Sequence, residues 1–208
     1  MRPDCLVAVS FLATRVTKSD KDDMAKLVRL LRYVRATKER GLVLRPGKKG
    51  MQVRAYVDAA YGVHSDGKSH TGGTITLGDA GPIMAKSAKQ KIVTKSSTEA
   101  ELVGLSDFAN HGFHLRNFVS AQGHTTGPLL IYQDNMSTMA LVKRGRAGSE
   151  RTRHIDIRYF WAKERVDSGE MVIEHMPTER MGPANVLSKP LQGAQFRQER
   201  DELTNWAE

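Results

Sequence analysis

The pattern of hydrophobic and polar residues predicts two helices at the start of the chain. Residues 4–14 carry closely spaced apolar side chains, which indicate one short helix. After a polar stretch at residues 17–20, apolar residues recur every three or four positions, as on one face of a helix. These residues are Met24, Leu27, Val28, Leu31 and Val34. Gly41 follows as the expected C-cap, so the second helix should end near residue 40.

The pattern changes to that of strands after residue 51. Alternate residues from Val53 to Val57 are apolar, which predicts a strand with one buried face. A second strand is predicted at residues 74–77, and a third at residues 82–93. Because the connections between these strands are short, we expect an antiparallel meander.

The rest of the chain predicts helices that alternate with strands. The expected elements are a helix at 96–121, a strand at 129–132, helices ending near 142 and 166, a strand at 171–176 and a last helix after Pro183. The order β-β-β-α-β-α-α-β-α predicts an α/β fold, in which a five-stranded mixed sheet carries helices on its faces. The expected division is a helical segment at 1–44, a linker at 45–50, a domain at 51–198 and a tail at 199–208.

Charge is distributed unevenly between the helical segment and the domain. Residues 1–50 hold 13 Lys and Arg against 5 Asp and Glu, whereas the other 158 residues hold 19 against 18. This asymmetry indicates a segment that faces a polyanion, with a solvated basic helix as the alternative. Cys5 is the only cysteine, and no apolar run reaches the length of about 20 residues that spans a bilayer. We therefore expect an intracellular protein without a membrane span.

Three carboxylates occupy positions that suit a metal-dependent nuclease. Asp58 ends the first predicted strand, Asp134 follows the apolar run at 129–132, and Glu101 lies in the first turns of the long helix. Carboxylates at strand ends and on an adjacent helix can hold two divalent cations about 3.5–4 Å apart, the arrangement used for phosphodiester hydrolysis. For each acid taken alone, a helix cap or a solvated side chain is the alternative.

Six short segments also occur in an order that is typical of one family. They are YVDAAY at 56–61, KSSTEAE at 95–101, YQDN at 132–135, RHIDIRY at 153–159, PTE at 177–179 and SKPL at 188–191. Together they resemble the ribonuclease H domain that ends the polyprotein of copia-type LTR retrotransposons. The resemblance covers residues 52–198, and residues 2–44 resemble the end of the preceding reverse transcriptase. It implies a ribonuclease H-like fold.

The resemblance implies an enzyme that cuts the RNA strand of RNA–DNA hybrids during reverse transcription. Such an enzyme works beside the polymerase region of its polyprotein, in the cytoplasm within the retrotransposon particle. It uses two Mg²⁺ ions, for which Mn²⁺ can substitute. Carried over by motif, Asp58 would bridge both ions, and Glu101 and Asp134 would hold one of them. Oxygen ligands of this kind are the ones that Mg²⁺ prefers.

Asn185 departs from the family pattern, which places the remaining metal-binding Asp there. An amide keeps the shape of that side chain but removes its negative charge. We therefore expect weaker binding of the ion and poor cleavage of bound hybrid. A decayed natural copy and a deliberate substitution both explain the amide. The alternative function is a nucleic-acid-binding module of the same fold that does not cleave.

Three sets of residues are candidates for contacts with the nucleic acid. Ser96, Ser97 and Thr98 begin the long helix, where hydroxyl and free N–H groups suit phosphate oxygens, although simple helix capping explains them equally well. Along the predicted third strand, Lys86, Lys89, Lys91 and Lys95 could follow a phosphate backbone, with solvated lysines that protect a sheet edge as the alternative. Arg151, His154 and Arg158, at spacings of three and four, would form one basic face of a later helix against the DNA strand, with a structural role for His154 as the alternative.

Overall fold

The computed structural model describes residues 1–45, 47, 50–144 and 153–206, apart from the side chains of residues 144 and 153–155. Its helices and strands are α1 (Leu6–Ala13), α2 (Lys21–Ala36), β1 (Val53–Ala60), β2 (His70–Leu77), β3 (Pro82–Lys89), α3 (Ser97–Ala121), β4 (Leu129–Gln133), α4 (Met136–Arg144), α5 (Arg153–Asp167), β5 (Met171–His175), α6 (Gly182–Ser188) and α7 (Gly193–Thr204). Short 3-10 turns at Pro3–Cys5, Val16–Lys18 and Thr178–Arg180 connect or extend these elements.

The strands form one mixed sheet of five, in the order β3-β2-β1-β4-β5, which confirms the predicted architecture. β1, β2 and β3 are antiparallel neighbours, whereas β4 lies parallel to β1 and β5 lies parallel to β4. The turn between β2 and β3 contains Gly78 and Gly81, both with the positive φ that favours glycine. A parallel neighbour needs a crossover connection, and α3 supplies the one between the meander and β4.

The main core lies between the sheet and the helices α3 and α5. Val53, Ala55 and Val57 of β1 are at most 1% exposed, as the alternation of the sequence predicts. They pack with apolar residues of α3, including Leu102 and Phe108, in one continuous cluster. This packing fixes the first turns of α3 beside β1, because close-packed side chains leave little freedom for a helix to slide.

α2 ends earlier than the sequence predicts. Its last residue is Ala36, and Thr37 leaves the helical conformation as the C-cap, so Gly41 does not cap this helix. The guanidinium of Arg2 donates hydrogen bonds to the Thr37 carbonyl (2.8 Å) and hydroxyl (2.7 Å). The contact from Arg2 therefore occupies the Thr37 carbonyl, which a longer helix would use for its own hydrogen bond. The spacing of apolar residues along α2 does not predict this contact.

β3 also ends earlier than predicted, at Lys89 rather than Val93. Gln90 is 4% exposed, and its side-chain amide donates to the Thr71 hydroxyl (2.9 Å) and to the Ala100 carbonyl (2.8 Å). These bonds turn the chain inward toward α3. Lys91 and Lys95 consequently lie in the loop between β3 and α3 instead of on the strand.

A further helix, α7, follows the predicted last one. α6 stops at Ser188 because Lys189 precedes a proline, which disfavours helical backbone. α7 then runs from Gly193 to Thr204 and crosses residue 198, where the sequence placed the end of the domain. Its Leu203 packs against α6 in a small second core. Residues 199–204 therefore pack with the folded domain rather than forming a tail.

The helical segment at 1–44 docks on the sheet and on α7. Phe11 of α1 stacks on the rings of His64 and His70, with centroids 4.6 Å from each. The backbone N–H of Val43 donates to the Thr204 carbonyl at 2.9 Å.

Of the proposed linker, residues 46, 48 and 49 lie outside the described residues. Over the described ranges, no helix is both long enough and apolar enough to cross a membrane.

Candidate active site

The sheet topology brings Asp58, Glu101 and Asp134 together. Asp58 lies near the end of β1 and Asp134 directly follows β4, and these strands are parallel neighbours. Parallel strands end at the same edge of a sheet, so the two carboxylates share that edge. Glu101 comes from the second turn of α3, which packs on β1. One carboxylate oxygen from each residue lies within 4.8 Å of the others.

Glu101 is held in a buried position by its neighbours. One carboxylate oxygen accepts the backbone N–H of Ala59 at 3.1 Å, and the other accepts the Gln133 amide at 3.2 Å. Gln133 also accepts the backbone N–H of Asp134 at 3.0 Å, so it links two of the three acids. Burial, followed by the charge of Asp58, raises the pKa of Glu101 well above its usual range. A cation held among the three acids would offset this charge.

Asp58 is 2% exposed. It makes polar contacts with Ser188, the last residue of α6, and with Lys189, which follows that helix. The Ser188 hydroxyl donates a hydrogen bond to one of its oxygens. The Lys189 ammonium lies 3.1 Å from both oxygens of the same carboxylate. A buried carboxylate needs this kind of compensation, because desolvation strongly disfavours its charged form.

Asn185 lies in the same network and is 3% exposed. Its amide nitrogen donates to the Thr178 carbonyl at 2.9 Å, and the Thr178 hydroxyl donates to Asp134 at 2.8 Å. Its amide oxygen is buried and has no hydrogen-bond partner among the described residues. Buried polar atoms are nearly always paired, so the unpaired oxygen of a side chain that Thr178 links to Asp134 is a candidate ligand for a cation. The three carboxylates could hold a metal ion, and oxygen ligands of this kind suit Mg²⁺ or Mn²⁺.

Gly72 of β2 allows α6 to approach the sheet at this point. It pairs with Asp58 in the register of β1 and β2. A Cβ atom at this position would overlap the backbone of Leu187 and Ser188 in α6. Only glycine therefore permits the contact that delivers Ser188 and Asn185 to the site. Sequence reasoning missed Gly72 as well as Gln133 and Thr178, since their roles depend on contacts between distant segments.

The serine and threonine residues at the start of α3 lie where the sequence placed them. The Ser96 hydroxyl accepts the backbone N–H of Glu99 at 3.2 Å, so it caps the helix. Ser97 is exposed, and the Thr98 carbonyl accepts the Thr138 hydroxyl at 3.2 Å. Ser96 therefore caps α3, whereas Ser97 is exposed to solvent.

The candidate lysines differ in their surroundings. Lys89 pairs with Asp66 at 2.7 Å, and the Lys86 ammonium lies 3.4 Å from a ring nitrogen of His111. Both belong to β3, which is an edge strand. Lys91 and Lys95 are exposed in the following loop. These positions suit either contacts with a phosphate backbone or protection of the sheet edge.

The predicted basic face of α5 is described only in part. Arg151 lies outside the described residues, as does the side chain of His154. Arg158 forms an ion pair with Asp107 of α3. Its guanidinium therefore helps to hold α5 on α3, which sequence spacing alone did not indicate.

Comparison with known proteins relates the chain to retrovirus-related Pol polyproteins from transposons. No protein-family model matches the chain. The chain is 31% identical over 197 residues to the retrovirus-related Pol polyprotein from transposon RE1 of Arabidopsis thaliana, covering 94% of this chain and 13% of that polyprotein. It is 29% identical over 188 residues to the corresponding polyprotein from transposon TNT 1-94 of Nicotiana tabacum, covering 90% of this chain and 14% of that polyprotein.

The fold of the chain is similar to that of a solved ribonuclease H structure. LC11-RNase H1, isolated from compost by a metagenomic approach, matches with a TM-score of 0.50 and 16% identity over 66% of this chain and 92% of that chain. The present chain spans only 13–14% of the length of the curated relatives named above. It is homologous to one segment of copia-type retrotransposon Pol polyproteins and has the ribonuclease H fold.

Proposed function

We propose that the chain is a metal-dependent ribonuclease H that acts on the RNA strand of RNA–DNA hybrids. The observation that carries this proposal is the meeting of Asp58, Glu101 and Asp134 within 4.8 Å, in a ribonuclease H fold. Homology to retrotransposon Pol polyproteins supplies the biological setting, since reverse transcription produces such hybrids. The substrate is accordingly a hybrid made by the polymerase region of the same polyprotein.

Each acid would bind and orient a cation with the help of a neighbour. Asp58, Glu101 and Asp134 would hold Mg²⁺ or Mn²⁺, and Asn185 would offer its unpaired oxygen as a neutral ligand. When two such ions are bound, they supply positive charge at the attacking and leaving oxygens of a phosphodiester. Gln133 fixes the Glu101 carboxylate, and the Thr178 hydroxyl fixes that of Asp134.

Nucleic acid would contact the surface beside these acids. Ser97 and Thr98 stand at the start of α3, where free N–H groups attract phosphate. Lys86, Lys89 and the exposed Lys91 would extend this surface along β3 and its loop. The basic segment at 1–44, which docks on the same body, would add affinity that falls as the salt concentration rises. We propose that this segment is the end of the preceding reverse transcriptase, because the matches extend beyond the nuclease fold.

Asn185 would limit turnover more than binding. An amide in place of a carboxylate removes one negative charge from the ligand set, so at least one ion should bind more weakly. A chain of this kind would bind hybrid and cut it slowly. A non-cleaving hybrid-binding module is the second candidate function, and Asn185 is the observation that favours it.

Cleavage of a labelled RNA–DNA hybrid in Mg²⁺, with hybrid binding measured in Ca²⁺, tests both candidates. Asn185→Asp should raise the cleavage rate roughly 10–100-fold, the range typical of changes beside a bound metal. Asn110→Asp adds the same charge at an exposed position of α3 and should change nothing. Asp58→Asn should abolish cleavage.

The outcomes separate the two functions. If Asn185→Asp and the unchanged chain cleave at the same rate, the amide does not limit turnover. If neither cuts hybrid in Mg²⁺ while both bind it in Ca²⁺, the chain is a binding module. Cleavage that survives Asp58→Asn would place the chemistry at a site other than the three acids.

A further inference from the structure

Lys189 stands out among the residues around the acids because it brings a positive charge into direct contact with one of them. We propose that Lys189 is an internal counter-cation of Asp58, which competes with a divalent ion for this carboxylate and sets the metal concentration that the site needs. The inference rests on the proposed function, since it concerns the same acids.

The contact is close and involves both oxygens of Asp58. The Lys189 ammonium lies 3.1 Å from each of them, so neither oxygen is free of the lysine. A divalent ion would have to bind one of these oxygens at a distance of about 2.0–2.1 Å. Two cations that share one carboxylate repel each other, and the repulsion is stronger in a buried site than in water. Binding of the ion must therefore displace or weaken the lysine contact.

The two partners differ in their access to water. Asp58 is 2% exposed, whereas the Lys189 side chain is 39% exposed. The lysine can therefore turn outward into solvent, and its flexible stem costs little to move. The carboxylate cannot leave its place, because Ser188 also holds it. The backbone of Lys189 stays fixed meanwhile, since its N–H donates to the Asn185 carbonyl at 2.9 Å.

Asn185 strengthens the effect of the lysine. With an amide at this position, the cluster contains three carboxylates, and the ammonium of Lys189 offsets one of them. The carboxylates then keep a net charge that one divalent ion neutralises. Asn185 and Lys189 together would favour the binding of one ion over two, and an additional carboxylate at 185 would counteract the lysine.

Metal titration of the whole chain tests this inference without measuring activity. Mn²⁺ binding is followed by calorimetry for the unchanged chain and for Lys189→Gln, Lys189→Arg and Lys21→Gln. Lys189→Gln should bind Mn²⁺ about tenfold more tightly, equivalent to about 1.4 kcal/mol. Lys189→Arg keeps the charge and should retain the original affinity. Lys21→Gln removes the same charge from an exposed position at the start of α2 and should also change nothing.

The result that overturns the inference is unchanged or weaker Mn²⁺ binding by Lys189→Gln, because a purely supporting lysine would lose affinity when removed. Circular dichroism checks that the variant folds, and Lys189→Met serves as a second neutral variant if it does not. Asp58→Asn identifies the site that is titrated. If Asp58→Asn leaves Mn²⁺ binding intact, the acids are not the metal site and the proposed function fails as well.

Discussion

Replacing Gly72 by alanine should disturb both the stability of the fold and the candidate active site. The added Cβ would overlap the backbone of Leu187 and Ser188, and backbone cannot rotate away as a side chain can. Overpacking of this kind costs about 1–3 kcal/mol, and we expect the upper end here because the clash is with helix backbone. For a chain of this length, a loss of about 3 kcal/mol lowers the melting temperature by roughly 6–12 °C.

Thermal and urea denaturation measure this loss, with Gly41→Ala as the matched control. A Cβ at Gly41 meets nothing within 4 Å, so the same substitution there should be neutral or slightly stabilising. Displacement of α6 would also move Ser188 away from Asp58, and Mn²⁺ affinity should fall with stability. Equal midpoints for the Gly72 and Gly41 variants would refute the packing of α6 on β2.

Three further predictions concern the buried polar network. Glu101→Gln should flatten the dependence of the stability of the metal-free chain on pH, which urea denaturation measures between about pH 4 and pH 7. A raised folded pKa means that the Glu101 carboxyl contributes stability at low pH and loses it as pH rises, whereas the amide does not titrate. Thr178→Val removes the hydrogen bond to Asp134 and should weaken Mn²⁺ binding about tenfold in calorimetry, with little change in melting temperature. Burial, followed by the charge of His64, lowers the pKa of His70 to about 4, so its neutral form stabilises the fold, and this stability is lost as pH falls from about 6.5 toward that value. His70→Gln should flatten the dependence of melting temperature on pH in that range; an unchanged slope would assign the acid sensitivity to other groups.

Binding of Mn²⁺ at the candidate site should stabilise the fold. Asp58 and Glu101 are both at least 96% buried, and burial, followed by the charge of Asp58, raises the pKa of Glu101, so ionising Glu101 beside Asp58 costs free energy. In the chain as it stands, Lys189 and the backbone N–H of Ala59 meet part of this cost. A bound divalent ion would meet more of it. The melting temperature should therefore rise with Mn²⁺ in the unchanged chain.

The sequence alone determined the class of the fold and the three acids. Strand periodicity identified β1, and the apolar run before Asp134 identified β4, whose residues alternate between buried and half-buried. These signals are local, because burial of one face or of both faces imposes a pattern on neighbouring residues. The convergence of Asp58 and Asp134 followed from strand order, once β4 was expected in the same sheet.

Tertiary structure decided the features that depend on contacts between distant segments. α2 ends where Arg2 reaches the carbonyl of Thr37, and β3 ends where Gln90 turns toward α3. The contact between Lys189 and Asp58 joins residues 131 positions apart. Gly72 permits this contact because it lets α6 lie against β2. Residue spacing predicts which side of a helix or strand is apolar, but it does not predict which polar groups meet across the core. For that reason the acids could be predicted from the sequence, whereas the groups that hold and neutralise them could not.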